Sequence, residues 1–319
     1  MSSISRMVAE LMKTYSFRLA GLLSVLCLCG HTSIFAQGLR VIEGQDKVEI
    51  VGDISYAEND NPRQTLDLLL PKVRQDEHRL PVLAYIHGGG WRAGNKRGGR
   101  WHLMKYVAGG KFAGVTIGYR LSGEAIWPAQ IHDCKAGIRW IRANADLYGL
   151  DPDRILVWGH SAGGHLSSML GTSGDVEELE GTIGRHLEMS SRVQAVANFY
   201  GPSDFLQMDA YRLPEGLIHE AAESPESMLI GGPIQEHPEK VAMANPIIFV
   251  SKDDPVFLSI HGTQDRLVPA HQSVILHEAL QKAGVLTEIY LVKGGGHGRF
   301  QDPEVIKRQD AFFERFRNQ

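Results

Sequence analysis

A chain of 319 residues with 43% hydrophobic side chains can bury one large core, and at this size α/β proteins often remain a single domain. Its 33 basic and 37 acidic residues leave a net charge of -4, too weak a field to gather nucleic acid or an anionic bilayer. A neutral or modestly polar small partner fits that balance better.

Lys13 and Arg18 precede an apolar run over residues 19–29, and Ala36 then offers a small residue at a cleavage position. That is the order of a secretory signal, so residues 1–36 read as a signal peptide, with Met12 a better-spaced start than Met1. The run is too short for a membrane span, and the mature chain is expected outside the cytoplasm, periplasmic or extracellular. Of three cysteines, Cys27 and Cys29 would leave with the signal. Cys134 alone stays, which rules out an intrachain disulfide in the mature chain and, within a helical pattern, predicts a buried, inert thiol.

Residues 40–319 read as one domain. Val48 to Tyr56 and Thr65 to Leu70 are two early strands, the second alternating Leu66, Leu68 and Leu70 until Pro71 stops it; they suggest an antiparallel start to a sheet. From Leu80 the pattern changes to short, nearly continuous apolar runs: Val82 to Ile86, Phe112 to Ile117, Ile155 to Trp158, Val193 to Phe199 and Pro255 to Ile260, with Thr287 to Val292 as the last strand. Strands covered on both faces need such runs. Helical stripes lie between and after them, over Ile131 to Tyr148, Ser273 to Ala283 and Glu304 to Phe316. The fold class is therefore α/β, a mostly parallel sheet with helices on both faces. The stretch from about 172 to 243 is crowded with acidic residues, glycines and prolines, and reads as loops and short helices covering a site.

The strand ending at Trp158 runs into Gly159-His160-Ser161-Ala162-Gly163-Gly164 and then a helical pattern, the spacing of a nucleophile elbow. A serine on so sharp a turn has a strained backbone, and the flanking Gly159 and Gly163 let the turn close. Upstream, the strand ending at Ile86 opens into His87-Gly88-Gly89-Gly90-Trp91. Three glycines directly after a strand suit a loop whose backbone must approach a reacting oxyanion. His87 reads as a brace for that loop. Among 14 histidines the general base is chosen by position: His297, in Gly294-Gly-Gly-His-Gly298, follows the last strand and so sits at the carboxyl edge of the sheet with Ser161. His160 and His165 flank the serine but point away from its hydroxyl, and His261 packs beneath the acid loop. Asp265 lies just after its strand on that same edge, whereas Asp253 and Asp254 precede it on the other; serine, aspartate, histidine is also the expected chain order. The histidines have no metal-ligand spacing, and neither metal nor cofactor is called for.

These motifs, with Gly118-Tyr-Arg-Leu121, Tyr148-Gly-Leu-Asp-Pro-Asp-Arg154 and Pro225-Glu-Ser-Met-Leu-Ile-Gly-Gly232, resemble the esterase branch of the α/β-hydrolase superfamily. The resemblance runs from about Val48 to Phe316. It is to hormone-sensitive-lipase-like carboxylesterases and, more closely, to the bifunctional acetylxylan and feruloyl esterase-like domain. It implies Ser161 as nucleophile, Asp265 as orienting acid, His297 as base, and Gly89, Gly90 and Ala162 as oxyanion donors. The implied substrate is a short-chain acyl or feruloyl ester of plant-wall carbohydrate, with Trp91, Trp127 and Tyr200 as platforms for a ring, although ordinary packing suits their type better. A general carboxylesterase or lipase, a prolyl-oligopeptidase-like peptidase and a non-catalytic binding protein on the same fold are the alternatives. A dienelactone hydrolase would carry cysteine in place of Ser161. No spacing argument reaches the oligomeric state.

Overall fold

The computed structural model describes residues 44–75 and 78–318; the expected signal peptide, with Met12, Cys27 and Cys29, lies outside the described residues. The elements follow in chain order: β1 (Val48–Ser55), β2 (Thr65–Pro71), β3 (Leu80–Ile86), α1 (Arg97–Ala108), β4 (Ala113–Ile117), α2 (Ala129–Ala143), α3 (Ala145–Tyr148) and β5 (Leu150–His160). Then come α4 (Ala162–Thr172), α5 (Glu177–Glu180), β6 (Ala195–Phe199), α6 (Pro225–Ile230), α7 (Pro238–Ala242), β7 (Val256–Gly262), α8 (His271–Ala283), β8 (Thr287–Val292) and α9 (Pro303–Arg317). Among the described residues no helix is long and apolar enough to cross a membrane.

One eight-stranded sheet carries the order β1-β2-β4-β3-β5-β6-β7-β8. The pairs β1/β2 and β2/β4 are antiparallel and every pair from β4 to β8 is parallel, as the apolar runs required. Side chains alternate between two cores, so each central strand is covered twice. In β3, Val82, Ala84 and Ile86 face the layer holding α2, α4 and α8, through Ile131, Ile138, Leu166, Met169, Leu276 and Leu280. Leu83 and Tyr85 face the layer holding α1 and α9, through Leu103, Met104, Val107, Phe312, Phe313 and Phe316. Each of these fully buried aliphatic or aromatic side chains contributes about 1.5–3 kcal/mol. Cys134 is buried on α2, and burial holds its thiol well above the ordinary range, as the helical pattern implied.

Sheet order positions the site. The chain winds outward from β3 to β4, then returns to pair β5 on the other side of β3. A crevice opens beyond the carboxyl ends of two strands where the winding reverses. The two strands here are β3, which ends at Ile86 before the glycine loop, and β5, which ends at His160 before Ser161.

Three elements differ from the sequence reading. The expected helix over 131–148 breaks in two, because Asn144 turns its side-chain amide back onto the Trp140 carbonyl (2.9 Å) and competes with the helix. β5 begins at Leu150, five residues earlier than its apolar run. α1 was not expected. No side chain caps it; its start is fixed by ion pairs from Lys96 (3.0 Å) and Arg100 (2.7 Å) to the fully buried Asp67 on β2.

The segment from Pro202 to Met243 leaves the sheet after β6 and returns before β7, with α6, α7 and short 3₁₀ turns along it. Its two ends are tied together: Asn245 accepts from Phe205 N–H (3.1 Å) and donates to Asp204 Oδ1 (3.0 Å).

Candidate active site

Ser161 has φ 56° and ψ -122°, a conformation that L-residues rarely hold, and forms the corner between β5 and α4. Its N–H donates to Phe199 O (2.8 Å) and its carbonyl accepts from His165 N–H (3.0 Å), so both sides of the turn are pinned. Gly163 is required by space: a Cβ there would stand 2.1 Å from Ile86 O and 2.8 Å from His87 O. The absence of that atom lets α4 begin directly against the glycine loop.

In that loop, Gly89 has φ 117°, and a Cβ would meet Ala93 O at 2.3 Å. Among the described residues no backbone carbonyl accepts from the N–H groups of Gly89, Gly90 or Ala162. His87 lies against this loop: it is buried, Nδ1–H donates to Gly88 O (2.8 Å), and the ring stacks on Tyr119 at 4.2 Å. The Tyr119 hydroxyl donates to His87 O (2.9 Å). Arg120, the next residue of the Gly-Tyr-Arg-Leu stretch, makes a bidentate pair with the buried Asp133 (2.9 Å). That stretch is therefore the buttress under the glycine loop.

Trp127 is buried and takes no part in the wall of the cavity that Ser161 and His297 line, so it serves packing; Trp91, also buried, lies on that wall. Trp91 Nε1–H donates to His165 Nδ1 (3.2 Å), which leaves the proton on Nε2 to be donated to Ala244 O (2.6 Å). Burial holds His165 neutral, with its pKa pushed down to about 4. Glycine loop, nucleophile helix and the residue after the cover segment thus share one hydrogen-bonded chain. His160 also turns away from the serine hydroxyl: Nδ1 lies 2.9 Å from the Tyr85 hydroxyl.

At the ends of β7 and β8, His297 Nδ1–H donates to Asp265 Oδ2 (2.7 Å). Asp265 Oδ1 accepts from Leu267 N–H (2.8 Å) and Val268 N–H (2.9 Å), and His261 Nε2 stands 3.2 Å from Oδ2. Burial acts to raise the Asp265 pKa, but hydrogen bonds from His261 and His297 outweigh it and hold the carboxyl well below the usual range. His261 packs beneath this loop, also bonded to Val268 O (3.0 Å) and Ser273 Oγ (2.7 Å). With its Nδ1 proton engaged, a neutral His297 has an acceptor at Nε2. Asp254, the rejected candidate, sits before β7 and is bound to Ser251 (2.9 Å), remote from this edge.

Ser161, Ala162, Gly88, Gly89, Gly90 and His297 line one cavity of about 520 Å³. Tyr200 completes that edge, its ring against His297 with centroids 4.6 Å apart. The far wall was not found from the sequence. It comprises Leu217, Pro225 and Glu226 of the cover segment, Leu267 and Val268 of the acid loop, and Arg92. The Ser224-Pro225 start of α6, a helix N-cap pattern, is a signal that could have pointed to it. Among the described residues no group of three or more histidine, cysteine or acidic side chains could hold a metal.

The BD-FAE family profile matches residues 66–280. "Probable carboxylic ester hydrolase LipM" of Mycobacterium tuberculosis is 35% identical over 70% of this chain and 49% of its own length. "Esterase LipC" of the same organism is 32% identical over 75% and 58%. The chain spans about half the length of the curated relatives it matches. Among solved structures, a truncated carbohydrate esterase from gut microbiota superposes with TM-score 0.75 at 35% identity, covering 86% of this chain and 99% of that one. A bifunctional GH43-CE protein of Bacteroides eggerthii gives 0.77 at 40%, over 84% and 38%. With the sheet order and the two loops at its switch point, these matches establish an α/β-hydrolase esterase fold, and the chain belongs to the BD-FAE family.

Proposed function

We propose that this chain is a serine carboxylic-ester hydrolase that works through an acyl-enzyme on short-chain acyl (acetyl) or feruloyl esters of plant-wall carbohydrate. The observation that carries the proposal is the Asp265–His297 hydrogen bond at 2.7 Å, with His297 and Ser161 on the wall of a single cavity. In the mechanism, His297 Nε2 takes the Ser161 proton as Oγ attacks the ester carbonyl, and the imidazolium that forms is stabilised by the Asp265 carboxylate. The tetrahedral oxyanion accepts from the N–H groups of Gly89, Gly90 and Ala162, each worth about 3 kcal/mol in the transition state. The alcohol leaves with the proton held by His297. Water, deprotonated by the same imidazole, then attacks the acyl-enzyme and releases the acid.

Support for a carbohydrate alcohol comes from two structural relatives above 30% identity, one named a carbohydrate esterase and the other a GH43-CE protein. An exported enzyme, as the leader-like residues 1–36 suggest, would meet such polymers outside the cell. The test is hydrolysis of p-nitrophenyl esters from acetate to decanoate beside acetylated xylan and methyl ferulate, with Ser161→Ala as control. Acetate preference with release from xylan or ferulate is expected. An optimum at long chains would favour a general carboxylesterase or lipase, and full activity in Ser161→Ala would overturn the mechanism.

A further inference from the structure

The catalytic cavity carries a buried acidic side chain that the mechanism above does not use. Glu226, near the start of α6, is 3% exposed and forms part of the cavity wall; among the described residues it is the one carboxylate there. Its Oε2 lies 3.0 Å from Nδ1 of His219, which is 1% exposed. The two are out of line for a hydrogen bond, and among the described residues neither Oε2 nor either ring nitrogen of His219 has a hydrogen-bond partner. Other buried carboxylates in this fold are treated differently: Asp265 collects two backbone N–H donors and a histidine, and Asp133 a guanidinium and a glutamine amide. Oε2 is closed off against His219, and the other oxygen, Oε1, likewise has no donor among the described residues; buried polar groups are normally satisfied, and such an exception at a ligand cavity marks a place for a ligand donor.

The pair is held in place. Ser224 Oγ accepts from Ser227 N–H (3.0 Å) and fixes the first turn of α6, while His219 N–H donates to both oxygens of Asp209 (3.0 Å each). Pro225 lies against Gly90, 3.2 Å from where a Cβ would stand, so Glu226 follows directly on the residue that touches the glycine loop. Arg92, an exposed side chain on the same wall, donates among the described residues to the Met228 sulfur at 3.9 Å and to nothing else. A carboxylate that must accept and a guanidinium that must donate together suit a hydroxyl, which does both. An alkyl chain would leave the buried Glu226 without a donor.

We infer that Glu226, with His219 behind it and Arg92 beside it, forms a subsite for a substrate hydroxyl next to the ester, so that the alcohol taken is a polyol such as a sugar. The subsite rests on the serine-esterase reading. Two probes that differ by one group test it: cyclohexyl acetate and trans-2-hydroxycyclohexyl acetate. Wild-type protein is expected to favour the hydroxy ester in kcat/KM by about tenfold or more, the effect of one hydrogen bond to a charged group. Glu226→Leu should bring that ratio to within about twofold of unity, and the isosteric Glu226→Gln should lower it several-fold; if the leucine variant does not fold, the glutamine variant decides. A wild-type ratio near one, or ratios in the folded variants equal to wild type, including a parallel loss on both esters, would overturn the subsite alone. If wild-type protein cleaves neither probe nor p-nitrophenyl acetate, the esterase reading falls and the subsite with it.

Discussion

Replacing Asp265 with asparagine changes one atom, and the surrounding donors decide which way the new amide must face. Oδ1 is bound by two backbone N–H groups and Oδ2 by His297 Nδ1–H, with His261 Nε2 nearby. If the amide oxygen stays with Leu267 and Val268, the NH₂ meets His297. If it is flipped, the NH₂ faces two backbone donors, which costs more. The first orientation wins and asks His297 to accept at Nδ1, which moves its proton to Nε2 and removes the base that faces the cavity. An error of tautomer lowers kcat by about 10⁴, or about 5 kcal/mol of barrier at 1.36 kcal/mol per decade. Folding stability should fall by only about 1–3 kcal/mol, because one charge-assisted bond is lost and the loop keeps its two amide bonds. The assay is p-nitrophenyl acetate turnover of Asp265→Asn beside wild type, with urea unfolding of both. A folded Asp265→Asn protein with kcat within tenfold of wild type would refute the assignment of Asp265 as the group that orients His297.

Gly163→Ala should lower kcat/KM by about 100-fold or more, because its Cβ would sit 2.1 Å from Ile86 O and must push the elbow away from the glycine loop; p-nitrophenyl acetate kinetics and the labelling rate with a fluorophosphonate would both register it. Glu180→Ala strips the counter-charge from Lys135 (2.5 Å) and Arg139 (3.2 Å), both almost fully buried, and should destabilise the fold by about 3–5 kcal/mol in a urea melt. Burial holds His160 down to about 3 and His87 and His165 to about 4, against about 6.5 for an unfolded chain. Between pH 6.5 and 4 the unfolded state therefore binds protons that the native state refuses, and stability falls as pH falls, by up to about 1.4 kcal/mol per pH unit per histidine. The urea midpoint should drop across that window, and a level profile would mean that these imidazoles are not held neutral.

The strands from β3 to β7 were legible because burial on both faces writes a run of apolar residues into each; β8, at the sheet edge and half exposed, was read from its place before His297. α1 was not, since its register is set by Asp67 reaching across from β2, and nothing local to Arg97–Ala108 records that partner. The elbow, the glycine loop and the positions of Asp265 and His297 could be read because each follows a strand end within a few residues, where sheet topology alone fixes the edge. Leu217 and Glu226 lie on a segment without periodicity, so which side chains face the cavity depends on the path of the whole segment. Trp91 and Trp127 show the limit of residue type. An indole suits a sugar platform and a core alike, and only the fold shows that Trp127 packs away from the catalytic cavity while Trp91, bonded to His165, lies on its wall.

Asn245 closes the neck of the cover segment, joining its outgoing and returning strands of chain at Asp204 and Phe205. Everything above that neck can change in length without moving the ends, since doubling a loop costs only about 0.6 kcal/mol of closure entropy. The segment is in effect a cassette: covers of different size could be exchanged between Phe205 and Asn245 while the nucleophile and its base stay where the sheet has put them. A family built this way can diversify in what it accepts without rebuilding how it cuts.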